Sequence, residues 1–109
     1  MTALTMSEDD LLTAVIDLCR TLHVLVHHSR PARVGKGWAT PIQGDAGLPD
    51  LIIAGSKGVL FRELKSDGGR LTREQAKWLV TLGITGNAAT WRPGDLPSGR
   101  IADEIRAVR

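Results

Sequence analysis

At 109 residues the chain has material for one domain built on one hydrophobic core, and no room for a second. Its hydrophobic fraction of 42% suits a globular protein, and no apolar run reaches the roughly 18 residues of a membrane helix, since Asp17 and Arg20 break the best candidate. A net charge of +2 names no nucleic-acid partner by itself, and with no basic stretch ahead of an apolar one at the start, a secretory leader is not expected and a cytoplasmic location is.

Residues 1–6 carry no element signal and are expected to form a flexible N-terminus. Ser7 suits the N-cap of a first helix, followed by Glu8, Asp9 and Asp10 in the turn where acids favour the helix dipole. Leu11, Leu12, Val15, Leu18, Cys19 and Leu22 recur at helical spacing and predict the buried face. Glu8 falls three and four residues before Leu11 and Leu12, which places it on that inward stripe. Cys19 shares the stripe, which makes it a buried structural thiol rather than a nucleophile. His23 to His28 alternates loosely with Val24 and Val26 and reads as a first strand. Adjacent histidines on a strand point to opposite faces, so His27 and His28 do not suit one metal ion, and they read as strand-end polar residues.

Residues 29–47 form a long connection, and long connections in small domains are either functional or disordered. Between Asp17 and Asp45 there is no acidic residue, while Arg20, Arg30, Arg33 and Lys36 occur there with three histidines. The connection therefore reads as a nucleic-acid-facing loop in which Arg30, Arg33 and Lys36 neutralise phosphates. Trp38 either stacks on a base or packs beneath the loop as its anchor.

Two apolar runs follow, Leu51-Ile52-Ile53-Ala54 and Val59-Leu60-Phe61, separated by Gly55-Ser56-Lys57-Gly58. This is the signature of a β-hairpin. A two-residue or four-residue loop sets Ala54 across from Val59, Ile52 across from Phe61 and Asp50 across from Glu63, whereas a three-residue loop reverses the parity. In the first register Asp50, Glu63 and Lys65 project from one edge of one face. Opposed carboxylates repel, so the pairing makes sense with a cation between them, and a hard divalent ion could take the Leu64 carbonyl as a third ligand. Strand-end charges reaching solvent are the alternative.

Beyond the hairpin, Ser66 to Arg70 makes a Gly-rich turn, and Thr72-Arg73-Glu74-Gln75 has the form of a capping box with Thr72 as N-cap. Gln75, Leu79 and Leu82 share a face of this second helix, and Gly83 is expected to end it. Asn87 to Trp91 predicts a fourth strand, parallel to the third because a helix carries the crossover. Ile101, Ile105 and Val108 predict a short final helix with Arg100, Arg106 and Arg109 outside. The order α-β-β-β-α-β-α predicts a single α/β domain with a mixed four-stranded sheet and helices on both faces.

Pro49-Asp50 followed by Glu63-Leu64-Lys65 resembles the PD-(D/E)-x-K signature of the restriction-endonuclease-like superfamily of metal-dependent nucleases. The wider pattern adds Gly47-Leu48, Phe61-Arg62, Ser66, the Leu71-Thr72-Arg73-Glu74-Gln75 helix start and Trp91-Arg92-Pro93. Over about residues 7 to 109 it is similar to the small stand-alone form of the VRR-NUC family, the virus-type replication-repair nucleases. The resemblance implies a restriction-endonuclease-like core and a Mg²⁺ or Mn²⁺ ion held by Asp50, Glu63 and the Leu64 carbonyl. It also implies Lys65 beside the attacking water, Glu8 approaching the metal from the first helix, and Gln75 near the scissile phosphate. Many members carry a glutamine just beyond that glutamate, where this chain has Leu11 and Leu12. Arg70 and Arg73 join the expected nucleic-acid contacts. The implied activity is hydrolysis of DNA phosphodiesters, on a four-way junction and by a homodimer. A binding module that kept the fold without cleaving, and a metal-stabilised structural subunit, are the rival readings.

Overall fold

The computed structural model describes residues 6–29, 32–34, 37–39 and 42–109. Ser7 opens α1 (Glu8–Thr21) through a reciprocal cap: its Oγ accepts from the Asp10 N–H at 3.0 Å, and the Asp10 carboxylate accepts from the Ser7 N–H at 3.3 Å. Leu11, Val15 and Cys19, one turn apart, are fully buried. Burial pushes the Cys19 thiol up to about 11, so it is the inert packing residue the sequence predicts. His23 leaves the helix in the left-handed region, at φ 59°, and the chain enters β1 (Leu25–His28).

Within the long connection lies a feature not expected from sequence. β2 (Ala32–Val34) and β3 (Gly37–Ala39) pair antiparallel as a separate ribbon, with Arg33 across from Trp38. Strands of three residues are too short to show an alternation, which is why this segment reads as loop. The side chains of Arg30, Arg33, Lys36 and Trp38, expected to contact nucleic acid, lie outside the described residues, as do residues 1–5 of the stretch 1–6 that was expected to be flexible.

The hairpin forms with the predicted two-residue turn. β4 (Leu51–Gly55) and β5 (Gly58–Leu64) pair antiparallel, Gly55 facing Gly58, Ala54 facing Val59 and Ile52 facing Phe61. β1 adds antiparallel to the free edge of β4. On the other side β6 (Ala88–Trp91) lies parallel to β5, and the crossover is α2 (Arg73–Thr85). The four strands run β1-β4-β5-β6. A 3₁₀ turn at Pro93–Asp95 leads to α3 (Arg100–Val108). The fold is therefore the expected α/β arrangement, a mixed four-stranded sheet flanked by three helices. One boundary differs: α2 continues through Gly83, where the sequence suggested its end. A glycine inside a helix costs only about 1 kcal/mol, and the cap is Gly86, whose N–H returns to the Leu82 carbonyl.

Strand alternation splits the hairpin between two layers. Leu51, Ile53, Leu60 and Leu64, joined by Trp91, face α1 and α3 and form a dry core with Leu11, Val15, Ile101 and Ile105. Arg62 points to the same side and reaches Glu104 of α3. Ile52, Phe61 and Glu63 point the other way, toward α2. This second layer is thinner. No described side chain of α2 is fully buried, Ile52 and Phe61 are only half-buried, and Val80 and Ile84 project outward at 69% and 78% exposure. The last turn of α3 is fastened to the hairpin turn, Lys57 N–H donating to the Val108 carbonyl at 2.9 Å and Ser56 Oγ to the Arg109 carbonyl at 2.6 Å. A Cβ on Gly55 would stand 2.1 Å from the Val108 carbonyl oxygen, so only glycine lets the two approach.

Candidate metal centre

The segment entering β4 is pressed against the start of α2. Gly47 adopts φ +103°, and a Cβ there would meet the Glu74 backbone at 2.5 Å. Trp78 Nε1 donates to the Ala46 carbonyl at 2.9 Å. Glycine at 47 and the indole at 78 thus fix where Pro49 and Asp50 arrive. Leu51 pairs with Arg62, and one step further along this register Asp50 faces Glu63. The Asp50 carboxylate accepts the Leu64 N–H at 3.0 Å through Oδ2.

The next position across from Leu64 is Pro49, which has no N–H to give, so the β4–β5 ladder ends there. On β5 the N–H groups of Phe61 and Lys65 go to Asn87 and Trp91 on the β6 side. Leu64 therefore turns both its N–H and its carbonyl toward the β4 side. Asp50 takes the first, and Pro49 offers nothing to the second. A proline-aspartate pair at this register leaves a backbone carbonyl beside two carboxylates.

Glu63 is the buried member, 2% exposed. Its Oε2 accepts from Gln75 Nε2 at 3.1 Å and lies 3.8 Å from Lys65 Nζ. Its Oε1 is buried and accepts from no donor, and the carboxyl's other contact is with the carboxylate of Asp50. Loss of hydration, then a hydrogen bond and the charge of Asp50, push the Glu63 carboxyl up to about 8. Lys65 opposes the rise and Glu8 adds to it. Glu8 itself is solvent-exposed on the first turn of α1, not on the buried stripe. Its pKa is nonetheless raised, by partial desolvation and by Asp50, with Lys65 and His28 pulling the other way. Sequence reasoning thus brought Asp50, Glu63, Leu64, Lys65 and Gln75 together, with Glu8 standing further out.

A cleft of about 770 Å³ opens between the start of α1, the end of β1, residues 42–50 and Gln75. Glu8, Asp9, Asp45 and Asp50 on its walls make it acidic, with His28 as the opposing group. Such a cleft concentrates cations and repels a bare phosphodiester, so an anionic substrate needs a bound cation to enter. Among the described residues no three His, Cys, Asp or Glu side chains converge tightly enough to enclose a metal ion. The donors on offer are two carboxylates and a backbone carbonyl, an all-oxygen set of the kind that suits Mg²⁺ or Mn²⁺. Buried polar atoms are nearly always paired, and the orphaned Glu63 Oε1 is the atom a cation would satisfy.

Arg70 and Arg73 are exposed and do not line this cleft. Arg73 borders a separate groove of about 320 Å³ along α2, with Lys77 and Trp78. Two other residues carry more than their sequence context suggested. His28 faces the acids of the cleft, and Arg92 gathers the turn before α2, donating to the Ser66 carbonyl at 2.6 Å and the Gly69 carbonyl at 2.8 Å. Comparison with protein-family models, with curated proteins and with solved structures gives no match to this chain.

Proposed function

We propose that the chain is a Mg²⁺- or Mn²⁺-dependent DNA endonuclease of the VRR-NUC kind, with a restriction-endonuclease-like core. One observation carries the reading: a buried carboxylate, Glu63, one of whose oxygens accepts from no donor, stands against the carboxylate of Asp50, and Asp50, though not Glu63, lines the acidic cleft. Without a cation, an acid pair buried in this way has to share a proton, which is the state that the raised Glu63 pKa describes. When bound, a divalent ion supplies charge neutralisation at the phosphate and lowers the pKa of water toward neutrality. Asp50, Glu63 and the Leu64 carbonyl would hold it, and Glu8 would add negative charge from the cleft wall. Lys65, 14% exposed at its side chain and 3.8 Å from Glu63, carries the ammonium that offsets negative charge developing on the phosphate during attack. The preferred substrate in this reading is branched DNA such as a four-way junction, cut by a homodimer whose two sites address opposed strands. Among the described residues no helix is long and apolar enough to cross a membrane, and a cytoplasmic setting in a bacterium or phage-infected host belongs to the same proposal.

The test is cleavage of an end-labelled four-way junction and of linear duplex, with Mn²⁺ or with EDTA. Asp50→Asn and Lys65→Ala should each lose at least about a hundredfold in rate, and Glu63→Ala should abolish cutting. Retention of wild-type cleavage in those variants would sink the assignment. Salt-sensitive DNA binding with no cutting in any metal would replace the nuclease by a catalytically inactive nucleic-acid-binding module of the same fold.

A further inference from the structure

Glu63 presents two chemically different oxygens, and the difference originates on α2. The Gln75 side chain has both amide ends engaged. Its Oε1 accepts the Thr72 N–H at 2.9 Å, and its Nε2 donates to Glu63 Oε2 at 3.1 Å. Only one amide orientation satisfies both bonds, because the flipped amide would set its NH₂ against a backbone N–H and its oxygen against a carboxylate. The backbone of Gln75 is fixed in turn by the Thr72 hydroxyl, which accepts its N–H at 3.1 Å. Glu63 Oε2 is thus held by Gln75 and lies beside Lys65, while Oε1 accepts from no donor and the carboxyl's remaining contact is with Asp50.

We propose that Gln75 is a positioning residue that acts through Glu63: the capping box of α2 orients its amide, and the amide holds Oε2 so that Oε1 is presented to a divalent cation. This rests on the metal-centre reading above and assigns Gln75 a role other than contact with phosphate. The capping box alone explains only the Thr72 bonds. It leaves the Nε2 bond to a buried carboxylate on another element unaccounted for. Partners that hold a ligating carboxylate matter about as much as the ligand's own placement, and their loss typically weakens metal binding by roughly ten- to a hundredfold.

The experiment is Mn²⁺ titration by calorimetry on the metal-stripped full chain, with thermal melts, for wild type, Gln75→Met and Thr72→Ala. Met keeps the length and helix preference of Gln and lacks the amide. Thr72→Ala weakens the cap while leaving the Thr72 N–H and the Gln75–Glu63 bond in place. The expected result is a loss of about tenfold or more in Mn²⁺ affinity for Gln75→Met, a smaller loss for Thr72→Ala, whose hydroxyl fixes the Gln75 backbone, and a lowered melting temperature for both. Where the chain cleaves DNA, Gln75→Met should regain its rate at saturating Mn²⁺, because the defect is in holding the ion. Wild-type Mn²⁺ affinity in Gln75→Met would reduce Gln75 to a cap and overturn the inference alone. A cleavage rate that stays low at every Mn²⁺ concentration, with metal affinity intact, would instead put Gln75 on the phosphate. Absence of Mn²⁺ binding by the wild type would remove the metal centre and this inference with it.

Discussion

Burial of the Glu63 carboxyl beside Asp50 links protonation to folding. Its folded pKa of about 8 stands above the ordinary 4.5, so across that window the folded chain holds a proton that the unfolded chain has released. Stability therefore falls as pH rises from about 5 to about 8, by at most about 1.4 kcal/mol per unit, and levels off beyond. Glu8 is raised as well and adds in the same sense. Glu104 is lowered by its arginine and indole donors, and its contribution is lost only below the ordinary carboxyl range, outside this window. Urea denaturation in EDTA across these pH values should show the decline. Glu63→Gln should flatten most of it, and saturating Mn²⁺ should oppose it in the wild type, because the ion takes the place of the proton. A flat profile in EDTA would mean that Glu63 is ionised without help. At this scale the sequence was informative, since a two- or four-residue turn sets Asp50 across from Glu63, but the register alone left a three-residue turn open, and the Pro49-Asp50 and Glu63-Leu64-Lys65 pattern came from the resemblance. Only the burial of Glu8 was misread, because helical spacing gives a direction around an axis, and in the first turn that direction can end at the wall of a cleft instead of in the core.

Between elements, a tight joint lies on the sheet face opposite the candidate metal centre. Arg62 is 1% exposed, donates to Glu104 Oε1 at 2.8 Å and to the Asn87 carbonyl oxygen, and lies with its guanidinium 5.1 Å from the Trp91 ring centroid. Trp91 Nε1 donates to the same Glu104 oxygen at 2.9 Å, and Arg100 Nε to the other at 2.7 Å. One carboxylate thus ties β5, β6 and α3 together, and its partner Arg62 is the chain neighbour of Glu63. Glu104→Ala should cost about 3 kcal/mol or more, since it strands a buried guanidinium and an indole N–H. Arg62→Met should cost less, because Met fills apolar space and Glu104 keeps Arg100 and Trp91. Chemical denaturation of both variants checks the order, and equal losses would show that charge burial is not what the joint guards against. This pair was legible and went unread. Arg62 alternates with Leu60 and Leu64 on the core side of its strand, and Glu104 lies on the Ile101, Ile105, Val108 stripe of its helix. Two opposite charges at core positions have to find each other. The β2–β3 ribbon, by contrast, offered no such signal, because register between three-residue strands is set by pairing and not by pattern.

At the scale of the whole molecule the two sheet faces differ in what holds them. The α1/α3 side carries the dry core, while α2 covers the other side with half-buried residues and is tethered by a few polar bonds: Gln75 to Glu63, and Trp78 to Ala46. Both layers were foreseeable from strand and helix periodicity. Their inequality was not, because an apolar stripe states which way a helix faces and not how much partner surface awaits it. Ile105→Ala should cost about 2–5 kcal/mol, as for other large-to-small changes in a sealed core, and Ile84→Ala should stay within about 0.5 kcal/mol. Thin layers also open first, since local unfolding free energy tracks buried apolar contact. Amide exchange followed by mass spectrometry should therefore find α2 and residues 42–50 exchanging well before α1, β4, β5 and α3. Both fast regions meet at Asp50, Glu63 and Gln75, so an ion held there would join them. Mn²⁺ should slow exchange in α2 and in residues 42–50 while leaving α3 nearly unchanged. Uniform protection without metal would show that the α2 layer is as firmly held as the core side, and slowing confined to β5 would show that the ion does not couple the two regions.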